Sequence, residues 1–394
     1  MNALLVLGYW LSLLAVVYPY LGYPLTLWLA TRARGAYQPP APSPSFEPSV
    51  TLMISAYNES AVLEAKLDNA LALDYPHDKL AIVVVSDASD DGTDEIVLRR
   101  AARDPRVQLY RQAERRGKTA GLNRGIELAH SEVVVFSDAN AMYEAGAIRE
   151  LVAPLIESRV GYVVGAAHYS DTADGESQAS EGLYWRYELA LKELESGFGS
   201  VVGGDGAIYA IRRNLYWPLR DDDINDFVNP LQIITAGYRG VFNARARAYE
   251  HGADSFDKEF RRKRRIVNRS WRAVTRYGAP LFRAGNPAFA FQLVAHKILR
   301  WFAMPMITAL ALLNLALVMR GAGWFYVLSF CALLGSAALA GAAQRSIARQ
   351  QKPARLAYLF YYFYLVNIAA VLGIWDESRG VRHSKWDHVR KSSG

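Results

Sequence analysis

One long apolar run near the start of the chain, residues 4–30, restricts what the chain can fold into. The run is longer than a signal-peptide core, and it ends at Arg32 and Arg34 rather than at a small-residue cleavage site. A helix of about 20 apolar residues crosses a bilayer, and basic flanks favour its cytoplasmic side. The run therefore predicts a transmembrane helix within residues 1–35, with Pro19 and Pro24 as candidate kinks.

The carboxyl-terminal third is apolar again and predicts further membrane segments. An interfacial helix is expected within residues 276–302, transmembrane segments within 303–375, and a basic tail over 376–394. The apolar runs of that membrane region are 303–318, 324–343 and 356–375. If the last run also crosses, the basic tail lies outside, although basic residues tend to stay in the cytoplasm. A re-entrant or interfacial last segment would remove the conflict, and the sequence leaves both arrangements open.

Charge and cysteine content exclude some classes of protein. The net charge is +7, but Lys and Arg cluster beside the apolar runs. That placement favours contact with membrane lipids at the cytoplasmic face and argues against nucleic-acid binding. Because Cys331 is the one cysteine of the sequence, neither a disulfide framework nor a Cys-based zinc site can form within one chain.

The middle of the chain predicts a soluble α/β domain. Residues 36–49 are rich in proline and predict an extended linker. Short β-rich runs then alternate with helical patterns, which indicates a mostly parallel sheet covered on both faces. The predicted domain covers residues 50–275, and its predicted strands are 50–57, 80–87, 107–112, 133–140 and 162–168.

Polar residues follow three of these strands at the point where each strand ends. They are Tyr57, Asn58 and Glu59 after the first, Asp87 after the second, and Asp138 and Asn140 after the fourth. Each set alone is also typical of a turn or a helix cap. Ligands of parallel sheets bind beyond the carboxyl ends of the strands, so three sets at one edge favour a binding site.

The motifs in this region resemble those of the family 2 glycosyltransferases, which are inverting enzymes with a GT-A fold. The resemblance covers residues 50–271 and rests on six segments in order, which are AYNES, VVVSDASDDGTDEI, RRGKTAGLNRGIELA, FSDAN, GGDGAIYAIRR and INDFVNPLQIITAGY. It implies a nucleotide-sugar-binding sheet with flanking transmembrane and interfacial helices. The implied protein is a multi-pass enzyme of the cell (inner) membrane with its catalytic domain in the cytoplasm. It would move a sugar from a UDP-sugar to a growing glycan or a lipid-linked acceptor.

The resemblance also assigns a donor side. Asp87 would bond the uracil imide, and Tyr57 would pack on the base with Glu59 nearby. Lys118 would meet a phosphate or the ribose, since a flexible ammonium suits a phosphate. The alternative for Lys118 is a solvated loop lysine.

A divalent metal is expected beside the donor phosphates. Mg²⁺ and Mn²⁺ prefer carboxylate and carbonyl oxygens, which Asp138 and the amide of Asn140 supply. The family usually has Asp-x-Asp here, so Asn140 departs from the pattern and Asp138 is the principal expected ligand.

The catalytic base is expected at Asp226, which matches the acid of the family's Glu-Asp pair. Inversion requires a carboxylate to take the proton of the attacking hydroxyl. Residues 221–223 are three rival acids, although adjacent acids are typical of a solvated loop. The acceptor side is assigned by resemblance to the loop containing Gly204, Asp205, Gly206 and Ala207.

The basic segment after the domain departs from the family's Gln-x-x-Arg-Trp, with Arg262, Arg265 and Ile266 in the corresponding places. Arg265 would contact the departing diphosphate. The segment could equally form a basic amphipathic helix on anionic lipid, and both roles are compatible with one helix.

Other functions are less well supported. A polyprenyl-phosphate sugar transferase would make a single transfer, but the GGDGA loop and the long segment to Asp226 argue against it. A nucleotide-sensing transporter or scaffold should carry ionisable residues inside its spans, and these runs carry almost none. A dinucleotide oxidoreductase lacks its Gly-x-Gly-x-x-Gly after the first strand. The few spans leave room for a partner subunit for export or a homo-oligomer.

Overall fold

The computed structural model describes residues 2–170, 176–251, 256–283 and 286–382. Within this part of the chain, one sheet of eight strands forms the centre of the soluble domain. Its strands are β1 (Val50–Ala56), β2 (Leu80–Ser86), β3 (Val107–Arg111), β4 (Val133–Asp138), β5 (Met142–Tyr143), β6 (Val160–Ser170), β7 (Tyr209–Arg212) and β8 (Arg239–His251).

The strand order in the sheet is β3-β2-β1-β4-β7-β6-β8-β5. Strands β1 to β4 pair in parallel, as do β6 and β8, whereas β7 runs antiparallel to both of its neighbours and β5 runs antiparallel to β8. The predicted α/β fold with a mostly parallel sheet is confirmed, and all five predicted strands are present.

Helices cover the sheet and extend from it. They are α1 (Asn2–Val17), α2 (Tyr23–Arg34), α3 (Ser60–Leu71), α4 (Thr93–Ala101), α5 (Lys118–Leu128), α6 (Ala147–Val152), α7 (Glu176–Phe198), α8 (Asn225–Thr235), α9 (Phe256–Arg283), α10 (Pro287–Leu293), α11 (Leu299–Trp301), α12 (Ala303–Met319), α13 (Trp324–Ala348) and α14 (Arg355–Ser378). Residues 35–49 contain no helix or strand. Helix α9 is continuous through residue 275, so the predicted end of the soluble domain falls inside one helix.

The core lies on both faces of the sheet because successive side chains of a strand point to opposite sides. In β1, Leu52 and Ile54 pack with Leu63 of α3 in one buried cluster. Met53 points the other way and packs with Leu122 of α5 in a second cluster. A strand buried on both faces explains why its sequence is continuously apolar rather than alternating.

Three helical segments among the described residues are long and apolar enough to cross a membrane. They are Ala3–Arg34, Trp324–Ala348 and Arg355–Ser378. A fourth candidate is the pair Pro287–Trp301 and Ala303–Met319, which is bent by 65° at residue 302. The N-terminal helix contains a π-helical turn at Tyr18–Gly22 around Pro19, where the sequence predicted a kink.

A buried polar cluster joins the candidate membrane helices to the domain that contains the sheet. Oε1 of Glu195 on α7 accepts a hydrogen bond of 2.7 Å from the hydroxyl of Tyr23. The same oxygen lies 2.7 Å from Nδ1 of His296. The other ring nitrogen of His296 lies 3.2 Å from Glu188, which also pairs with Arg300 at 2.5 Å. The N-terminal helix, α7 and the bent segment before α12 therefore meet at one set of charges.

Candidate active site

The strand register places the three predicted sets of polar residues at one edge of the sheet. Ser55 of β1 is paired with Asp138 of β4, and Ala56 is paired with Ser86 of β2. Tyr57, Asp87 and Asp138 therefore follow or end neighbouring parallel strands at the same level. The edge carries the expected donor residues side by side, which agrees with the position of ligand sites in parallel sheets.

Asp87 holds the loop between β3 and α5. Its Oδ1 accepts hydrogen bonds from the Gln112 side chain at 2.6 Å and from the backbone of Arg116 and Gly117, both at 2.9 Å. Its Oδ2 accepts a bond of 3.0 Å from Gly117 N. The carboxylate is buried, so these bonds compensate for its lost hydration. Asp87 thereby fixes the backbone that leads into Lys118.

The residues after β1 are tied to the neighbouring turn. The guanidinium of Arg115 lies 4.0 Å from the centre of the Tyr57 ring, in a cation–π contact. Asn58 has a positive φ of 51° and exchanges hydrogen bonds with Asp90. Glu59 precedes α3, and its backbone N–H donates to Thr93 at 2.9 Å. The base-binding residues expected from the sequence thus lie together at the rim of the edge.

Lys118 points into the site from the first turn of α5. Its Nζ lies 2.5 Å from Oδ1 of Asp138, and the two side chains are 13% and 22% exposed. Gly117 immediately before it has a φ of 95°, a conformation that glycine adopts without strain. The alternative expectation of a solvated loop lysine is wrong, because burial and the carboxylate partner fix the ammonium.

Three side chains that the sequence assigned to the site converge at Gly206, in the loop expected to meet the acceptor. A Cβ on Gly206 would lie 3.3 Å from Oδ2 of Asp226, 3.6 Å from Oδ2 of Asp138 and 3.6 Å from Nζ of Lys118. The glycine therefore leaves open the space that separates the expected base from the expected metal ligand. In the same loop, Asp205 is held by Lys192 of α7 at 3.0 Å.

Asp226 lies in the first turn of α8, and its backbone carbonyl accepts a hydrogen bond from Gly204. Its Oδ1 is shielded from solvent and has no hydrogen-bond partner within the described residues. Burial raises the pKa of Asp226, Lys118 opposes that effect, and the carboxylates of Asp205 and Asp138 add to it. The carboxyl group is therefore poorly solvated and easier to protonate than an ordinary aspartate, as a proton acceptor in a reaction should be.

Two further buried charges lie behind Asp138, and sequence reasoning missed both. Lys66 of α3 donates to the carbonyl of Ala141 and lies 4.2 Å from the centre of the Tyr143 ring. Burial lowers the pKa of Lys66, while burial and Asp138 raise the pKa of Glu250 on β8. The position of Glu250 in the fold follows only once β8 is recognised as a strand. The alternating sequence RGVFNARARAYEH is the pattern that would have predicted this strand.

The rival acids of residues 221–223 are mostly not solvated, which corrects the expectation from their sequence. Asp223 is 1% exposed and pairs with Arg276 at 2.6 Å and with the Tyr277 hydroxyl at 2.8 Å. Asp222 also pairs with Arg276, at 3.0 Å. Of these three acids, Asp221 reaches the surface, where it forms an ion pair with Arg116. Ion pairs with α9 thus hold the loop that precedes Asp226.

Helix α9 brings the guanidinium of Arg269 close to Asp226. Arg269 donates to the carbonyl of Asp223 and to the Thr119 hydroxyl. Its positive charge lowers the pKa of Asp226. Burial and the neighbouring Arg265 together lower the pKa of Arg269 to about 10. The two guanidiniums are one helical turn apart, which places Arg265 on the side of α9 that faces the site.

The donor set suits a dication that is shared with a substrate. Among the described residues, no three His, Cys, Asp or Glu side chains are close enough to hold an ion by themselves. Asp138 and the half-buried Asn140 can supply two oxygens. Mg²⁺ is typically bound by one or two carboxylates together with phosphates and water, so the residues fit a metal that arrives with a diphosphate.

Comparison with known proteins agrees with this arrangement. Residues 51–220 match the family described as Glycosyl transferase family 2. The probable glycosyltransferase YdaM of Bacillus subtilis is 24% identical over 262 residues, which are 62% of this chain and 61% of that protein. The poly-beta-1,6-N-acetyl-D-glucosamine synthase of Staphylococcus aureus is 34% identical over 98 residues, 25% of this chain and 23% of the synthase. The alignments thus span less than two thirds of either relative.

A solved structure is similar over almost the whole chain. It is the mannosyltransferase PcManGT from Pyrobaculum calidifontis in complex with GDP-Man and Mn²⁺. The two structures superpose with a TM-score of 0.66 and 27% identity, and the match covers 93% of this chain and 99% of PcManGT. The family resemblance seen in the sequence is confirmed. Residues 51–220 form a glycosyl transferase family 2 domain with a GT-A-like fold.

Proposed function

We propose that the protein transfers a sugar, with inversion, from a nucleoside diphosphate sugar to a hydroxyl-bearing acceptor at a membrane surface. The observation that carries the proposal is the convergence at Gly206. There the expected base, Asp226, the expected metal ligand, Asp138, and Lys118 all come within 3.3 to 3.6 Å of the place that a Cβ would take. A donor sugar placed in this space would have its phosphates near Asp138 and Lys118 and its anomeric carbon towards Asp226.

Asp226 is the proposed general base. An inverting transfer needs a carboxylate that takes the proton of the acceptor hydroxyl as the hydroxyl attacks the anomeric carbon. Oδ2 of Asp226 is the oxygen next to the space at Gly206, so it is the atom placed to accept that proton. Oδ1 is shielded and without a partner in the described chain, which leaves the carboxyl group poorly hydrated. Its raised pKa increases its affinity for the proton.

The donor is proposed to be a UDP-sugar or a GDP-sugar. The family resemblance implies UDP, whereas PcManGT was solved with GDP-Man, so a nucleoside diphosphate is common to both. Tyr57 would pack on the base, with Glu59 nearby. Asp87 Oδ2 accepts one bond within the described residues and has a lone pair left for the base. Lys118 and Arg265 would contact the diphosphate, which suits their charge.

A divalent metal is proposed at Asp138, with Asn140 as a second oxygen ligand. The Mn²⁺ in PcManGT supports the metal and does not distinguish Mn²⁺ from Mg²⁺ in this protein. When bound, the ion would neutralise charge on the departing diphosphate. The protein residues hold the donor, orient it towards Asp226 and keep bulk water out of the buried half of the site.

The acceptor is proposed to be a growing glycan or a lipid-linked sugar. The relative named poly-beta-1,6-N-acetyl-D-glucosamine synthase supports a glycan, and the apolar helices around the domain support a lipid-linked acceptor. The loop from Gly204 to Ala207 would meet the acceptor, because its glycines allow close approach to the backbone. A partner subunit for export, or a homo-oligomer, remains compatible with this assignment.

The proposed location is the cell (inner) membrane, with several spans and the catalytic domain in the cytoplasm. Arg32 and Arg34 end the N-terminal span next to that domain, and Arg345 and Arg349 end α13. Basic residues at the ends of spans favour the cytoplasmic side.

The test is a donor screen on the purified full-length protein in lipid nanodiscs. UDP- and GDP-sugars are supplied with a glycan or lipid-linked acceptor, and release of the nucleotide is measured with and without chelator. The anomeric configuration of the product is read by NMR. Inversion from one class of donor supports the proposal. Retention of configuration, or absence of turnover with every nucleoside diphosphate sugar, contradicts it.

A further inference from the structure

Helix α14 has the length and hydropathy of a membrane span, yet it lies along the charged helix α9. At its amino end, the rings of Tyr358 and Tyr361 lie 5.5 and 5.3 Å from the ring of Phe256. A little further on, the Tyr362 hydroxyl donates to Glu259 at 3.3 Å. The first third of α14 is therefore in contact with the first turns of α9.

The carboxyl end of α14 is tied to the same helix by charges. Arg264 forms a two-point pair with Asp376, at 2.6 and 2.7 Å. Arg272 contacts both oxygens of Glu377, at 2.8 and 2.9 Å from its Nε. The side chain of Asn268 also donates to the carbonyl of Gly373, at 3.1 Å. The two helices thus run side by side in the same direction.

This contact is too long to fit a perpendicular span. From Tyr358 to Glu377 a helix rises about 28 Å at 1.5 Å per residue, which is close to the roughly 30 Å of bilayer hydrocarbon. A span over this stretch would carry α9 through the hydrocarbon as well. Helix α9 holds many Lys and Arg side chains, each of which is costly inside a membrane. The carboxyl-terminal half of α9 also forms ion pairs with Asp222 and Asp223 of the catalytic domain.

The middle of α14 also contacts the N-terminal helix and α13. The Tyr20 hydroxyl donates to Asn367 at 3.1 Å, and the Tyr364 hydroxyl lies 2.9 Å from the Ser336 hydroxyl of α13. The guanidinium of Arg300 lies 5.2 Å from the Tyr20 ring and pairs with Glu188. The centre of α14 is therefore close to a buried ionic cluster as well as to α13.

We propose that α14 does not cross the membrane but lies in the lipid interface on the catalytic side, alongside α9. The partner of its remaining apolar surface is the lipid boundary, where amphipathic helices bind. Its exposed apolar side chains suit that boundary, and they are Leu356, Leu359, Ile368 and Trp375. The arrangement rests on the membrane location given under the proposed function.

The same geometry fixes the side on which the chain continues. Arg382 lies 3.5 Å from Asp222, so the residues after α14 return to the catalytic domain. The basic sequence from residue 379 onwards is then cytoplasmic, as basic segments tend to be. The conflict noted in the sequence disappears, and the spans reduce to the N-terminal helix, α12 with its bent lead-in, and α13.

The test maps single cysteines with a membrane-impermeant maleimide. In a Cys331→Ser background, Ser378→Cys reports the end of α14. Ala322→Cys reports the turn between α12 and α13, and Gln351→Cys reports the turn between α13 and α14. All three positions are exposed in the protein. Labelling is compared between intact spheroplasts and inverted membrane vesicles, and each sample is normalised to its labelling after detergent solubilisation.

We expect Ser378→Cys to be labelled together with Gln351→Cys in inverted vesicles, and Ala322→Cys to be labelled in spheroplasts. Labelling of Ser378→Cys together with Ala322→Cys would show that α14 spans and would overturn the inference. Labelling of Ala322→Cys and Gln351→Cys from one side would instead contradict the membrane arrangement of the proposed function. Nucleotide release by each variant is measured in parallel, so a loss of folding is recognised.

Discussion

Nζ of Lys118 lies 2.5 Å from Oδ1 of Asp138, so one ammonium neutralises the carboxylate that is expected to hold the metal. The same ammonium faces Asp226 across the space at Gly206 and lowers the pKa of that carboxyl group. Lys118 therefore connects the donor side of the site with the base, and its removal should affect both.

The variant Lys118→Met keeps the length of the side chain and removes its charge. Asp226 acts as a base only when ionised, so activity falls as the pH drops through its pKa. Because the charge of Lys118 lowers that pKa, its loss should move the acid limb of kcat/KM to higher pH and raise KM for the donor. The pH profile of nucleotide release measures this, with the exposed Lys352→Met as control. An unchanged pH profile would show that Lys118 does not affect the ionisation of Asp226.

The variant Asp226→Asn keeps the shape of the side chain but cannot accept a proton. Loss of a general base typically lowers the rate by about a hundredfold to ten-thousandfold. Donor binding should stay near wild type, because the proposed donor contacts are made by other residues, Tyr57, Asp87, Lys118 and Asp138. Sugar transfer and nucleotide affinity are measured separately. The matched control is Asp78→Asn, an exposed aspartate before β2, at the opposite edge of the sheet. Transfer at the wild-type rate by Asp226→Asn would remove the assignment of the base.

Metal binding should depend on Asp138 and tolerate an acid at position 140. Asp138→Ala removes the principal ligand, whereas Asn140→Asp restores a second carboxylate to the site. We expect Mn²⁺ affinity, measured by calorimetry with nucleoside diphosphate present, to fall in the first variant and to be kept or increased in the second. Nucleotide release should stop in chelator and return with Mn²⁺ or Mg²⁺. Full turnover in chelator would argue against any metal at Asp138.

Asp223 is expected to matter for stability rather than for chemistry. Its carboxylate is buried with Arg276 and Tyr277 as partners, and removing one partner of a buried ion pair costs about 3 kcal/mol or more. Asp223→Asn should therefore lower the thermal unfolding midpoint clearly, whereas the exposed Asp221→Asn should not. Differential scanning fluorimetry compares them. A stable Asp223→Asn protein without transfer activity would return this residue to the list of possible bases.

The variant Gly206→Ala should close the site without unfolding the domain. Its added Cβ would meet only the side-chain ends of Asp226, Asp138 and Lys118 among its nearest atoms, at 3.3 to 3.6 Å. We expect the unfolding midpoint to stay near wild type and kcat/KM to fall. Gly146→Ala is the matched control, because a Cβ there meets nothing within 4 Å. Equal activity of the two variants would show that the substrate does not pass Gly206.

Strands β1, β2 and β4 were predicted because they are buried on both faces and read as apolar runs. The sequence did not predict β5, which has only two residues, or β7 and β8, which have different patterns. Strand β7 is short and follows a glycine-rich loop, and β8 alternates arginine with small or apolar residues. Because β8 was not predicted, Glu250 could not be placed in the fold, although it is one of the buried ionisable groups near Asp138.

Local sequence was also insufficient for the acids before α8. Three adjacent aspartates are typical of a hydrated loop, but Arg276 of α9 reaches back over more than fifty residues to pair with two of them. Asp226, Asp138 and Lys118 could be named from motifs, yet their meeting at one glycine depends on how β4, α5 and α8 pack. Such long-range partners are set by the tertiary fold and leave no local pattern in the sequence.

The carboxylate of Glu195 has a consequence for how the protein is assembled. Its Oε1 meets Tyr23 of the N-terminal helix and His296 before α12, and its Oε2 accepts from the backbone of Val202, next to the acceptor loop. A shortened version without Tyr23 and His296 would leave this buried carboxylate with one of these three partners. The catalytic domain and the apolar helices at both ends of the chain therefore depend on one another for stability.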